Sequence, residues 1–271
     1  MWHDHLLMEP EIVTRVPAPA WRPPRVWVAL QVAARVVLPV VARLEVSGDV
    51  PDELRRGPLI LAANHISPFD PIVLTAATRV RRIAPRIMAT GGLFRAPLVG
   101  AVMRASGHIR VDRRTATVGD ALHVAAAAVA GGSVVMVYPE GRIGLDPGMW
   151  PERGKTGAAR LALLSGATVV PVAQWGSHEV IPYATSARGL LRGLTRSVVR
   201  RPAIRVRFGK PVDLSGLRPG VPGAAQRATE RIIDALTDTL AEIRRDELDG
   251  PRFKDPTRPV DLSRQHRRRP G

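Results

Sequence analysis

Short, uninterrupted apolar runs alternate along this chain with longer segments whose apolar residues recur at helical spacing. "GPLILAA" (57–63), "SVVMVYPEG" (133–141) and "ATVVPVAQWG" (167–176) read as buried strands that break at Pro, Gly or polar residues. "RLEVSG" (43–48), the alternating "HIRVDR" (108–113) and "AIRVRFGKPV" (203–212) predict three more strands, and "IAPRIMA" (83–89) a seventh despite its Pro85. Helices are predicted over 25–41, 71–80, 93–107, 115–132, 155–166, 186–201 and 223–250. In the last of these, Ile232, Ile233, Leu236, Leu240 and Ile243 fall on one face. Strands alternating with helices predict an α/β fold, a single mostly parallel sheet flanked by helices on both faces. Around it the pattern predicts a flexible lead-in over 1–24, a separate N-terminal helix over 25–42 and a domain over 43–250. A basic, proline-containing tail over 251–271, with seven Lys/Arg and two Asp, is expected to be disordered.

Composition narrows the chemistry. With 45% hydrophobic residues the chain can bury one large core, and at 4% aromatics that core must be Val, Leu, Ile and Ala. There is no cysteine, which removes disulfides, thiolate metal sites and cysteine nucleophiles. The net charge of +16 draws the chain to polyanions, or else is a solvated basic surface. The few aromatics and the lack of a recognised DNA or RNA motif speak against a specific nucleic-acid partner. Residues 1–19 have no basic stretch leading into an apolar core, so no secretory signal is expected there. The apolar run 26–42 contains Gln31, Arg35 and Pro39 and falls short of the roughly 20 residues of a membrane-spanning helix. It suits an amphipathic helix in the membrane interface, with Arg25, Arg35 and Arg43 reaching for phosphates, or a core helix. Arg188, Arg192, Arg196 and Arg200 recur every four residues and suit either an anionic lipid surface or plain solvent.

Four constellations carry candidate chemistry, three of them at predicted strand ends, where α/β sheets gather ligands. In "NHISPFD" (64–70), His65 could take a proton from a hydroxyl if Asp70 fixed its other ring nitrogen; equally, Ser67 or Asp70 could cap the helix that begins at Pro71, with His65 an ordinary loop residue. "YPEG" (138–141) places Glu140 and Gly141 in a turn at a second strand end. In "VDRR" (111–114), Arg113 could clamp a phosphate with its planar fork. "RGKTG" (153–157) lacks the glycine that a nucleotide-binding loop needs at 149, where Met149 stands; Lys155 at a helix start can still attract an anion.

Taken in order, these blocks resemble the glycerolipid acyltransferase family, the lysophosphatidic-acid acyltransferases that make phosphatidic acid. Asn64, His65 and Asp70 fit its N-H-x-x-x-x-D motif, and "GHIRVDR" (107–113) its G-x-x-x-x-x-R block. "YPEG" fits its aromatic-Pro-Glu-Gly, Lys155 to Gly157 its K-x-G, and "VVPVA" (169–173) its V-P-V; "FGKPVDL" (208–214) is family-like too. The resemblance covers about residues 43–214. It implies a glycerol-3-phosphate acyltransferase-like fold, with His65 as general base and Asp70 orienting it. The acceptor hydroxyl would attack the thioester of acyl-CoA or acyl-carrier protein directly, with no acyl-enzyme and no further cofactor. It also implies substrate-binding roles for Asn64, Arg113, Glu140, Gly141, Arg142 and Lys155, with Arg113 on the acceptor's phosphate, and a packing or acyl-chain role for Pro171. The implied partners are a lysophospholipid, an acyl thioester and the anionic cytoplasmic face of a membrane, with the protein peripheral or monotopic there. Two positions depart from the pattern. Where the family has Thr-Arg-Ser after Pro-Glu-Gly, this chain has Arg142, Ile143 and Gly144, and Arg110 replaces a bulky apolar residue. Both bear on the acceptor: glycerol 3-phosphate, another lysolipid or a secondary-metabolite hydroxyl are the alternatives within the same chemistry. A non-catalytic basic membrane-binding protein is the alternative outside it.

Overall fold

A computed structural model describes residues 21–112, 118–184 and 186–259, the side chains of 118–120 excepted. In chain order the elements are α1 (Arg25–Val41), β1 (Arg43–Gly48), β2 (Leu59–Ala63), α2 (Asp70–Val80), β3 (Arg86–Thr90), α3 (Gly91–Arg95), α4 (Pro97–Ala105), β4 (Ile109–Val111) and α5 (Val118–Ala130). They continue with β5 (Val134–Val137), α6 (Gly157–Ser165), β6 (Thr168–Trp175), α7 (Ser177–Val180), α8 (Ala187–Arg200), β7 (Ala203–Phe208) and α9 (Ala224–Ile243).

The seven strands form one sheet in the order β1-β7-β6-β2-β5-β3-β4. Every neighbouring pair is parallel except β6 and β7. The central strands are apolar on both sides, as the all-buried β2 shows, because helices cover both faces. On one face Leu59, Leu61, Met136, Val170 and Val172 pack with Val73 and Leu74 of α2 and with Trp27 and Leu38 of α1. On the other, Ile60, Val135 and Val169 pack against α5, α6 and Ile232 of α9. The strand alternation thus splits one apolar set into two cores.

Helix α1 is part of the domain. Trp27, Gln31 and Leu38 face inward, and the Gln31 amide donates to the Ile83 carbonyl at 2.8 Å and to Thr78 Oγ1 at 3.2 Å. On its other side Val32, Val36, Val37 and Val40 are exposed, as are Arg25 and Arg35. No helix among the described residues is long and apolar enough to cross a membrane. Helix α8 also lies inside out. It packs through Gly193 and Ser197 and exposes Leu191, Val198 and Val199. A Cβ on Gly193 would stand 2.7 Å from the Val180 carbonyl oxygen, so only glycine allows this approach. The expected arginine stripe is broken, because Arg196 turns in to donate to the Glu179 carbonyl and lies 5.1 Å from the Phe253 ring.

Three boundaries differ from expectation. The helix predicted over 93–107 is two helices, split where Ala96 takes the extended backbone that a following proline imposes. The helix predicted to reach 250 stops at Ile243, because Arg244 leaves it to lie between Trp175 and Trp150, its guanidinium 3.8 and 4.2 Å from the two rings. The segment expected to be disordered from 251 is ordered to Pro259, with Asp255 and Arg258 buried; 260–271 lie outside the described residues. The lead-in likewise joins the fold by Trp21, whose N–H donates to the Gly131 carbonyl at 3.2 Å.

Among the described residues, His178 and His108 lie buried. His178 is pushed down to about 3, by burial and then by Arg258 and Arg244. His108, which accepts from the Ile87 N–H, is pushed down to about 4, by burial and then by Arg86. Both rings are neutral when folded and titrate near 6.5 when unfolded, so below 6.5 the unfolded chain binds more protons. Their stability contribution is whole above pH 6.5 and is lost as the pH falls towards their folded values. By pH 5 each costs about 2 kcal/mol. Thermal melts from pH 7 to 4.5 should show the decline, and His178→Phe should flatten it.

Candidate active site

The site forms where three adjacent parallel strands end. β2, at the centre, runs into Asn64 and His65; β5 beside it runs into Tyr138, Pro139 and Glu140; β6 on the other side runs into Gly176 and Ser177. Gly176 makes the last turn possible. Its φ is +99°, and a Cβ there would stand 2.3 Å from the Ala203 carbonyl oxygen.

The loop 64–70 folds Asp70 back onto His65. Asp70 is the first residue of α2, yet its side chain does not cap that helix. Its Oδ2 instead accepts from His65 Nδ1 at 2.8 Å, from the Ile66 N–H at 2.6 Å and from the Ser67 N–H at 2.9 Å. Its Oδ1 accepts from Ser177 Oγ at 2.5 Å. The carboxylate is 0% exposed, and these donors, some from the backbone, compensate its desolvation. The capping alternative is therefore set aside for Asp70. Ser67 does not cap either: its hydroxyl accepts from the Phe69 N–H and donates to the Ile181 carbonyl. With Nδ1 held by a carboxylate, the His65 ring presents Nε2 as its proton acceptor. The ring is 17% exposed and stacks on Tyr138, centroids 4.1 Å apart and planes 18° off parallel. The Tyr138 hydroxyl is buried with no hydrogen-bond partner among the described residues. Burial, and then the nearby Asp70 charge, raises its pKa.

Glu140 secures the same loop from the other side. One oxygen accepts from the His65 N–H at 3.1 Å and the other from the Glu152 N–H at 2.9 Å. The His65 carbonyl in turn accepts from the Gly144 N–H at 2.7 Å. A Cβ on Gly144 would stand 2.9 Å from Glu140 Oε2, so glycine keeps this crossing tight. Glu140, expected among the substrate-binding residues, is thus a buried brace behind His65. Asn64, expected there too, is likewise buried. It is 0% exposed, its amide donates to the Gln174 carbonyl and accepts from the Gln174 N–H, and the Gln174 side chain answers to the Asn64 carbonyl. Asn64 ties the ends of β2 and β6 together.

Arg142 forms an ion pair with the fully buried Glu152 at 2.9 Å, so the basic residue displaced from its usual place has a carboxylate of its own. Lys155 packs its alkyl chain by Gly141, where a Cβ would lie 3.1 Å from Lys155 Cδ, and its N–H donates to the Pro139 carbonyl. Arg110 pairs with Asp112 at 2.7 Å beyond β4. Arg113 follows them but lies outside the described residues. Pro171 sits inside β6, paired with Ala62 of β2, which is a packing position.

Sequence reasoning did not pick out Ser177, Glu152, Gly144, Gln174 or the stacking role of Tyr138. Ser177 and Gln174 flank the end of a predicted strand, the signal that singled out His65 and Glu140. Nothing in the local sequence points to Glu152.

Residues 43–175 match the acyltransferase family. An uncharacterized protein of Mycobacterium leprae is 32% identical over 227 residues, covering 73% of this chain and 59% of that one. A chloroplastic 1-acyl-sn-glycerol-3-phosphate acyltransferase of Brassica napus is 27% identical over 161 residues, covering 58% of this chain and 43% of that one. The chain therefore spans about three fifths or less of the length of these relatives. Among solved structures, the 1-acyl-sn-glycerophosphate (LPA) acyltransferase PlsC of Thermotoga maritima matches with a TM-score of 0.60 and 18% identity, over 80% of this chain and 79% of that one. That likeness shows the fold. The segment similar to the acyltransferase family, residues 43–175, holds the strand-end His65 and Asp70.

Proposed function

We propose that this protein transfers a fatty acyl group from acyl-CoA or acyl-carrier protein to the free hydroxyl of 1-acyl-glycerol 3-phosphate, giving phosphatidic acid. The observation that carries the reading is the 2.8 Å contact between His65 Nδ1 and a buried, multiply hydrogen-bonded Asp70. His65 Nε2 takes the hydroxyl proton as the oxygen attacks the thioester carbonyl. The tetrahedral intermediate collapses, the C–S bond breaks, and the imidazolium returns its proton to the departing thiolate. Asp70 holds the ring and stabilises its cationic form throughout. Arg113 and Lys155 are the proposed contacts to the acceptor's phosphate.

The reaction is placed at a membrane surface, the cytoplasmic face. Helix α1 packs beside α4 and α8, and together they expose Val36, Val37, Leu98, Leu191 and Val199, with Arg35, Arg188 and Arg192 also exposed. Exposed apolar residues and arginines on the same helices suit an anionic lipid interface. A second reading keeps the chemistry and changes the acceptor. The engagement of Arg142 by Glu152 favours it, since that loop departs from the family pattern just where the acceptor site is expected.

The test is acyl transfer by the detergent-solubilised protein, given a long-chain acyl-CoA and an acceptor panel headed by 1-acyl-glycerol 3-phosphate. Free CoA and lipid mass are read, with sedimentation on anionic vesicles as a parallel measurement. Wild type should give diacyl product and His65→Ala none, while both bind vesicles. Equal rates from the two proteins would remove His65 from the chemistry.

A further inference from the structure

The stretch that follows Gly250 crosses back over the catalytic loops. Arg252 N–H donates to Glu247 at 3.0 Å, and the Phe253 ring lies 5.9 Å from that of His178. Asp255 then fastens the stretch, accepting from the Tyr183 N–H at 2.7 Å and from the Thr257 N–H and hydroxyl at 3.0 and 2.6 Å. Thr257 Oγ1 accepts from the Ala184 N–H at 3.0 Å. These contacts deliver Arg258, 6% exposed, to the centre of the site.

The Arg258 fork spans two loops. One terminal nitrogen donates to the Gly144 carbonyl and the other to the Ile66 carbonyl, while Nε lies 3.6 Å from Asp255. Ile66 directly follows His65, and its N–H is held by Asp70. Gly144 is the residue whose N–H holds the His65 carbonyl. The direct bond and the bridging guanidinium therefore join the two loops twice, one residue apart, around His65. A planar fork with fixed donors can satisfy both carbonyls at once, whereas a lysine ammonium is a point charge on a flexible stem. Burial lowers the pKa of this cation, and the charges of Asp255, Asp70, Asp146 and Glu140 work against that in favour of its ionised form.

We propose that Arg258 is a positioning residue for His65, and that residues 251–259 form a strap closing the site behind it. The proposal rests on the acyl-transfer reading for its kinetic test, but not for its spectroscopic one. In Arg258→Gln the backbone on both sides of His65 loses its tie, and kcat should fall on the order of 10²-fold, the scale of an ångström's misplacement. KM for both substrates should change by less than about threefold, because no substrate contact is removed. Arg258→Lys should recover part of the loss, and millimolar guanidinium should partly restore Arg258→Ala.

The second measurement needs no turnover. The proton between His65 Nδ1 and Asp70 should give a low-field NMR resonance in the full-length wild type. It should broaden or vanish in Arg258→Gln while far-UV circular dichroism is unchanged. If Arg258→Gln does not fold, Asp255→Asn releases the strap with every site side chain in place and should show the same two losses. A folded variant with wild-type kcat and an intact low-field resonance would overturn the proposal. If the wild type transfers no acyl group to any acceptor, the acyl-transfer reading fails and the resonance still decides the role of Arg258.

Discussion

Asp70→Asn is expected to lower kcat by about three orders of magnitude while the protein stays folded and bound to lipid. An amide is nearly isosteric with the carboxylate and can point its oxygen at the His65 Nδ1, Ile66 and Ser67 donors, where Oδ2 now lies. Its nitrogen then faces Ser177 Oγ, which can rotate to accept instead of donate. The fold therefore survives, but the charge opposite the imidazolium is gone, and the low-dielectric setting of a fully buried Asp70 makes that charge count. Steady-state kinetics, read beside vesicle sedimentation and circular dichroism, will check this. Near-wild-type turnover would break the pairing of the two residues as a catalytic unit.

Glu140→Ala is expected to be worse for the molecule as a whole. Truncation leaves the His65 and Glu152 N–H groups without the carboxylate oxygens that now accept from them. A buried donor left unpaired costs about 1–3 kcal/mol, so the pair costs roughly 2–6 kcal/mol before any cavity is counted. That is a large part of the stability of an ordinary domain. The melting temperature should fall by many degrees, and the folded fraction should turn over at least about tenfold more slowly because His65 has lost one of its backbone anchors. Differential scanning calorimetry, with rates measured well below the transition, separates the two effects. An unchanged melting temperature would mean that Glu140 is not a brace. Glu140→Gln, which keeps one carbonyl oxygen, should lie between.

Most of the architecture was legible because burial on both faces leaves a plain trace. The all-apolar β2 and the β-branched β5 and β6 stand out, and the polar clusters after them mark one end of the sheet. The His65 and Asp70 pairing was legible as an option, and the fold chose between it and a helix cap. What a polar side chain faces was not legible. Asn64 and Glu140 have the residue types of ligand contacts, yet both spend themselves on backbone groups of neighbouring strand ends and loops. Spacing along one strand carries no information about a partner over 70 residues away. The strap was missed for a related reason. Composition measures whether a segment can bury apolar surface of its own, but this segment is ordered by Asp255 and Arg258, whose partners lie on other loops.

Tyr138 lies flat against one side of the His65 ring, and Asp70 holds the ring's edge. A ring gripped on face and edge has lost its tilt and its pivot, so the lone pair on Nε2 aims along one fixed line. In the proposed acyl transfer it is therefore the acceptor that has to bring its hydroxyl onto that line, and the reach of that hydroxyl sorts one substrate from another.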